Sequence, residues 1–218
     1  MKKLISLCLA MTMLLGSMVG CGKTPTSSSG NPSNSEGGGL GTPQTFKFGL
    51  TVASTHPYSI AAQNFAELVE EKSGGNMTVD LYYDSSLGDD AALMESMQMN
   101  AVTFALVGPA GIAPMCPIYE FFDLPCLFAT RDAAYAFQES EPVLELMDSL
   151  SANGLRGLGF YENGYYAISN NAKEITTVDG LNNLKLRSMT SEMAIKSWEC
   201  LNVQPVAMAF GELFMAMQ

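Results

Sequence analysis

Four kinds of residue in this 218-residue chain have types and spacing that could do chemistry. His56 is its single histidine, so a His-dependent nucleophilic triad would have to use it. It stands directly before Pro57 and reads better as a helix-start residue than as a general base. No G-x-S-x-G elbow accompanies it, which argues against a hydrolase. Cys116, Cys126 and Cys200 either make one disulfide and leave a free thiol or are three small buried hydrophobes; the second reading is preferred. No CxxC or Cys/His cluster has metal-ligand spacing, so neither metal nor cofactor is expected. Asp89 and Asp90 form an acidic pair at a helix start, which points to capping and dipole chemistry, since nothing nearby completes an acid/base site. Arg187 offers something different. Its guanidinium is a planar fork that matches a carboxylate with two parallel hydrogen bonds, and it keeps its charge in a closed site. Spacing alone leaves a competing reading open, an arginine in a surface ion pair of little energetic worth.

The elements that must position these residues alternate. Residues 46–52 read as a strand and 57–72 as a helix, with Ala61, Phe65, Leu68 and Val69 on one face and Ser73-Gly74-Gly75 as its stop. Residues 77–83 alternate as a strand, a helix opens at Asp89 or Asp90 and runs to about Met99, and 103–107 is a buried strand. Pro109, Pro114, Pro117 and Pro125 forbid long helices next. Residues 132–150 read as one or two helices interrupted near Pro142, and 155–160 and 164–169 as strands around a turn at 162–164. A turn at 178–181, a strand at 184–188, a helix at 191–201, a strand at 204–208 and a helix from Phe210 complete the series. Such alternation predicts an α/β fold with mainly parallel sheet. Ligands of open α/β sheets collect beyond the carboxyl ends of the strands. Those ends are Thr51, Asp84, Gly108, Arg187 and Ser188, and Met208 to Phe210. Arg187 is the one cation in the set.

The first 43 residues read differently. Lys2 and Lys3, the apolar run from Leu4 to Val19 and the small residues before Cys21 predict a lipoprotein leader over 1–20, cleaved so that Cys21 is acylated. Residues 21–43 then form a Gly/Ser-rich tether, too polar to bury a core. The rest has globular composition. The net charge of −11 speaks against nucleic-acid binding.

Several segments in order resemble one family, the solute-binding proteins of TRAP (tripartite ATP-independent periplasmic) transporters. They are FKFGLTVASTHPYSIAAQNFAELVEEKSGG at 46–75, YYDSSLGDD at 82–90, YEFFDLPCLF at 119–128, YENGYYAISNNAKEITTVDGLNNLKLRSM at 161–189 and NVQPVAMAFGELFMAMQ at 202–218. The resemblance implies a two-lobe, periplasmic-binding-protein-like (type II-like) fold, with lobe one over 44–162 and part of lobe two over 163–218. It implies a receptor, not an enzyme, that captures a small organic acid and hands it to the small and large membrane subunits of a permease. With the lipid anchor, that places the protein on the outer face of the bacterial cytoplasmic membrane. The arginine of the family's "LK-x-R" strand is Arg187, implied as the carboxylate ligand. Further implied pocket positions are Thr51 with nearby Ser54, Asp90, Gly108, Thr190 and Phe210. Where many members carry a second arginine this chain has Tyr166, which favours a monocarboxylate, keto acid or sugar acid over a dicarboxylate. An ABC-type receptor with the same tether and a secreted hydrolase are the alternatives. The apolar stripe Phe210, Leu213, Phe214 and Met217 has no helix stop after it, and the resemblance implies that roughly a third of such a protein lies beyond this sequence, leaving the fold incomplete at its C-terminal end.

Overall fold

A computed structural model describes residues 42–218; the expected leader, the Cys21 lipidation site and most of the tether lie outside the described residues. Strand β1 (Gln44–Leu50) is flanked on either side by β2 (Met77–Tyr82) and β3 (Phe104–Leu106), all parallel, in the order β2-β1-β3. Chain order therefore reverses beside β1, and the carboxyl ends of β1 and β3 open on a topological switch point.

Alternation along β1 assigns its faces. Phe48 and Leu50 point one way, into a core with Ala62 and Phe65 of helix α1 (Pro57–Lys72). Phe65 stacks edge-on against Phe48 and Phe104 at 5.9 and 5.2 Å. Gly49 points the other way, where Leu93 of helix α2 (Asp90–Gln98) takes the space that a side chain would need. The two helices thus cover opposite faces. α1 starts where Pro57 fixes the first turn and His56 Nδ1 accepts from the Tyr58 N–H at 3.2 Å, so the one histidine is a cap, as its position implied. It ends at Ser73, whose buried hydroxyl oxygen accepts from the Met77 N–H at 2.9 Å and ties the helix to β2. Gly74 and Gly75 (φ +60° and +80°) supply the left-handed backbone of that turn.

After β3 the prolines keep elements short. Helix α3 (Pro109–Ile112) is followed by a 3-10 turn over Pro117–Asp123. Helices α4 (Arg131–Gln138) and α5 (Glu141–Ser149) are separate, with Pro142 in the first turn of the second. Met94, Tyr119, Leu150 and Leu155 form the core beneath them. A second, smaller parallel pair follows: β4 (Lys185–Ser188), helix α6 (Glu192–Glu199) and β5 (Gln204–Ala207). Leu181, Leu184 and Val203 fill its core with Trp198 against them.

Three expectations are corrected. Residues 155–160 and 164–169 are not strands; both run without regular structure, because no strand among the described residues lies beside them to complete a ladder. Cys126 and Cys200 are exposed rather than buried, the first on a left-handed turn residue and the second just past α6; only Cys116 is half-buried, and all three are free. The segment from Phe210 begins as a 3-10 turn (Phe210–Glu212) and yields only one helical turn, α7 (Leu213–Ala216), with Phe210, Phe214 and Met217 exposed.

Candidate functional site

Arg187 lies in β4, directly opposite Val206 of β5. Its Nε and Nη2 both donate to the Met208 carbonyl, at 3.0 and 2.8 Å. Two of the five guanidinium N–H groups are thereby used on one edge, and the Nη1 edge makes no hydrogen bond among the described residues. Among the described residues no carboxylate comes within 4.0 Å, so the surface ion pair left open by spacing alone is not formed. Burial draws the guanidinium below its usual value, with Tyr166 and Asp90 acting the other way.

Asp89 and Asp90 divide the expected roles. Asp89 caps α2, its Oδ1 accepting from the Ala92 N–H at 2.9 Å. Asp90 instead reaches across to β3's end, where its Oδ2 accepts from the Gly108 N–H at 3.1 Å. Its Oδ1 is cut off from solvent with no partner among the described residues. Burial pushes this carboxyl above the ordinary range; the Gly108 N–H opposes that most, Asp89's charge adds to it, and the nearby Thr51 hydroxyl and Arg187 oppose it. Thr51, Asp90, Gly108 and Arg187 therefore form one neighbourhood at the strand ends, with Asp90 half-buried and its Oδ1 turned from solvent. Ser54 stays exposed on the loop after β1.

A raised carboxyl pKa binds its proton more tightly in the folded state. Below the unfolded value, near pH 4, the group is protonated in both states and contributes nothing. As pH rises from there through the folded value, the unfolded chain ionises first and folding loses stability. Asp90→Asn, which keeps an acceptor for Gly108, should be more stable than the parent at pH 7. Thermal melts from pH 7 to pH 3.5 should show that advantage closing. A gap independent of pH would contradict the account.

Gly111 marks how closely this layer is built. A Cβ there would stand 2.6 Å from the Asp90 Cβ and 3.2 Å from its backbone carbon. Gly111→Ala should separate α3 from α2 and cost about 1–3 kcal/mol in urea unfolding.

Tyr166 stands on an irregular segment with 69% of its surface accessible, yet enough protein surrounds it that burial is the main cause of its raised pKa. Asp123's charge also raises it, while Arg187 and the Asn163 side chain lower it. Its hydroxyl donates to Met189 Sδ at 3.2 Å. Phe210 is 55% exposed, but Gly211 beside it lies against Ser85, whose hydroxyl donates to the Thr51 carbonyl at 3.4 Å, so its turn borders the same strand ends. Thr190 is exposed and lines a groove of about 310 Å³ with Ala113, Pro117, Glu120 and Glu192; no side-chain hydrogen bond ties it to Arg187.

Sequence reasoning missed three neighbours. Tyr58, at the start of α1, is pushed up to about 12 by burial, then by Tyr166 and Glu162; its place just after the loop behind β1 was the available signal. Asp123 and Ser188 are buried, each with a side-chain oxygen lacking a partner among the described residues, and nothing in YEFFDLPCLF separates such an aspartate from a surface one.

Comparison with known proteins adds the family. A family model described as "Bacterial extracellular solute-binding protein, family 7" (DctP) matches residues 48–218. The chain is 32% identical over 184 residues to the C4-dicarboxylate-binding periplasmic protein DctP of Rhodobacter capsulatus, covering 82% of this chain and 54% of that protein. It is 28% identical over 177 residues to the 2,3-diketo-L-gulonate-binding periplasmic protein YiaO of Escherichia coli K12, covering 80% and 53%. Among solved structures, a sugar acid binding protein from Advenella mimigardefordensis, in complex with galactonate, is similar with a TM-score of 0.78 and 34% identity, covering 81% of this chain and 57% of that one. The chain thus spans about half the length of the curated relatives it matches. Neither the ABC-type receptor nor the hydrolase finds support among these relatives. The family expected from the ordered motifs is the family matched: this chain belongs to the bacterial extracellular solute-binding proteins of family 7.

Proposed function

We propose that this chain belongs to the extracytoplasmic receptor of a TRAP-type transporter, which captures a small organic acid by its carboxylate and delivers it to the small and large permease subunits. The observation that carries this reading is Arg187, seated by the Met208 carbonyl through one edge of its fork and, among the described residues, with no carboxylate within 4.0 Å. Thr51, Gly108, Tyr166, Thr190 and Phe210 would border the acid, and Asp90 would hold the Gly108 turn from beneath. Residues 44–162 and 163–218 are assigned to two lobes. Acylated Cys21 would tether the receptor to the outer face of the cytoplasmic membrane, since more than one acyl chain makes such anchoring durable.

A hydroxylated or keto monoacid suits this site better than a dicarboxylate. Tyr166 offers a hydroxyl and a ring where a second carboxylate would need a cation, and Asp90 and Asp123 add negative charge nearby. Relatives are named for both classes, diketogulonate and galactonate on one side and C4-dicarboxylates on the other, so the choice rests on Tyr166. Calorimetry with D-galactonate, 2,3-diketo-L-gulonate and succinate tests it. A sugar acid should bind at least about tenfold more tightly than succinate, the worth of one good hydrogen bond. Tighter binding of succinate would overturn the monoacid reading.

A further inference from the structure

The 3-10 turn Pro117–Asp123 brings Glu120 to the N-terminus of α6, the helix that follows β4 and its arginine, and sets Asp123 beside that helix's capping Ser191. Glu120 Oε1 accepts from the Glu192 N–H at 3.3 Å, across 72 residues of chain. Ser191, 2% exposed, caps the same helix, its Oγ accepting from the Ala194 N–H at 3.3 Å. Asp123 is 9% exposed, and its Oδ2 is sealed from solvent without a partner among the described residues. Burial raises its carboxyl, the neighbouring Ser191 hydroxyl is the group that opposes this, and Glu120 adds to the rise. A helix N-terminus carries unpaired N–H groups and partial positive charge, which Glu120 complements directly and Asp123 reaches through the capping Ser191. Only Ser188, Met189 and Thr190 separate Arg187 from this capped end. The short connection leaves little freedom between α6 and the guanidinium, and Tyr166 feels both Asp123 and Arg187.

We propose that Glu120 and Asp123 are positioning residues that clasp the start of α6 and thereby set where Arg187 and Thr190 meet the acid. The clasp makes acid capture depend on the contact between the 117–123 turn and the β4–α6 unit. A loosened turn would leave the arginine charged but misplaced. The part that concerns capture rests on the receptor reading above; the clasp itself does not.

The test uses the whole chain without added acid, then with D-galactonate. In Glu120→Ala, hydrogen exchange of the Glu192 amide should rise about tenfold, as for its one lost hydrogen bond, and in Asp123→Ala the Ala194 amide, held by Ser191, should exchange faster, while β1 and β2 stay protected. The NMR signal of the Arg187 Nε–H, held on the Met208 carbonyl, should shift in both. Glu120→Gln and Asp123→Asn, which keep an acceptor, should restore exchange and signal to the parent's values. Unchanged exchange and an unmoved Nε–H signal in Glu120→Ala would overturn the clasp, even if Asp123→Ala fails to fold. Gln and Asn variants that behave like the alanines would overturn it too. Galactonate affinity should fall in the alanine variants and not in their amide counterparts. If the parent itself binds no acid, the part of the proposal that concerns capture by this chain falls while the exchange and Nε–H results still decide the clasp.

Discussion

Arg187→Ala should remove measurable acid binding from the receptor. A partly buried, charge-assisted pair loses about 2–5 kcal/mol when one partner is truncated, because the other is left desolvated and unpaired. That corresponds to roughly thirty- to several-thousand-fold in affinity. Alanine also frees the Met208 carbonyl from both of its arginine donors, so the end of β5 should loosen. Arg187→Lys keeps the charge and replaces the fork by a point, and should recover only a small part of the loss. Calorimetry against D-galactonate measures both variants, with circular dichroism confirming the fold. Undiminished affinity in the alanine variant would remove Arg187 from the site.

The second large effect is structural. Leu93 is 1% exposed and is the side chain seated over Gly49, so it fastens α2, and with it Asp90, to the sheet. Leu93→Ala should destabilise by about 2–5 kcal/mol, through lost transfer energy and the cavity left over the glycine. Leu93→Met fills most of that space and should cost less than about 1.5 kcal/mol. Urea unfolding gives both values. If alanine cost under about 1 kcal/mol, the packing of α2 on β1 would be wrong.

The first sheet and its helices were legible because local signals and tertiary packing agree there. Pro57 and the Ser73-Gly74-Gly75 run bound α1 to the residue, and strand alternation in 77–83 and the apolar run at 103–107 found their sheet. The segments at 155–169 had equally good local composition and failed, since a strand exists only with a neighbour to pair with, and composition cannot supply one. The strand-end rule points from sequence to Thr51, Gly108, Arg187 and Met208; it does not show that Met208 is the residue holding the arginine. Capping logic gave both aspartates one role, where geometry assigns the cap to Asp89 and sends Asp90 to Gly108. Asp123 and Glu120 were hidden among aromatics, because a 3-10 turn has no strong periodicity to reveal which side it presents.

The double contact of Arg187 with the Met208 carbonyl has a kinetic meaning. Folding has already chosen the arginine's rotamer, so an arriving acid need not order it, a step that otherwise subtracts about 0.5–1.5 kcal/mol per flexible side chain. A pre-set fork of this kind greets every carboxylate alike and favours fast capture. It cannot tell one acid from another, so in the proposed receptor discrimination rests with the walls around it, and a change of nutrient calls for new walls around an unchanged arginine.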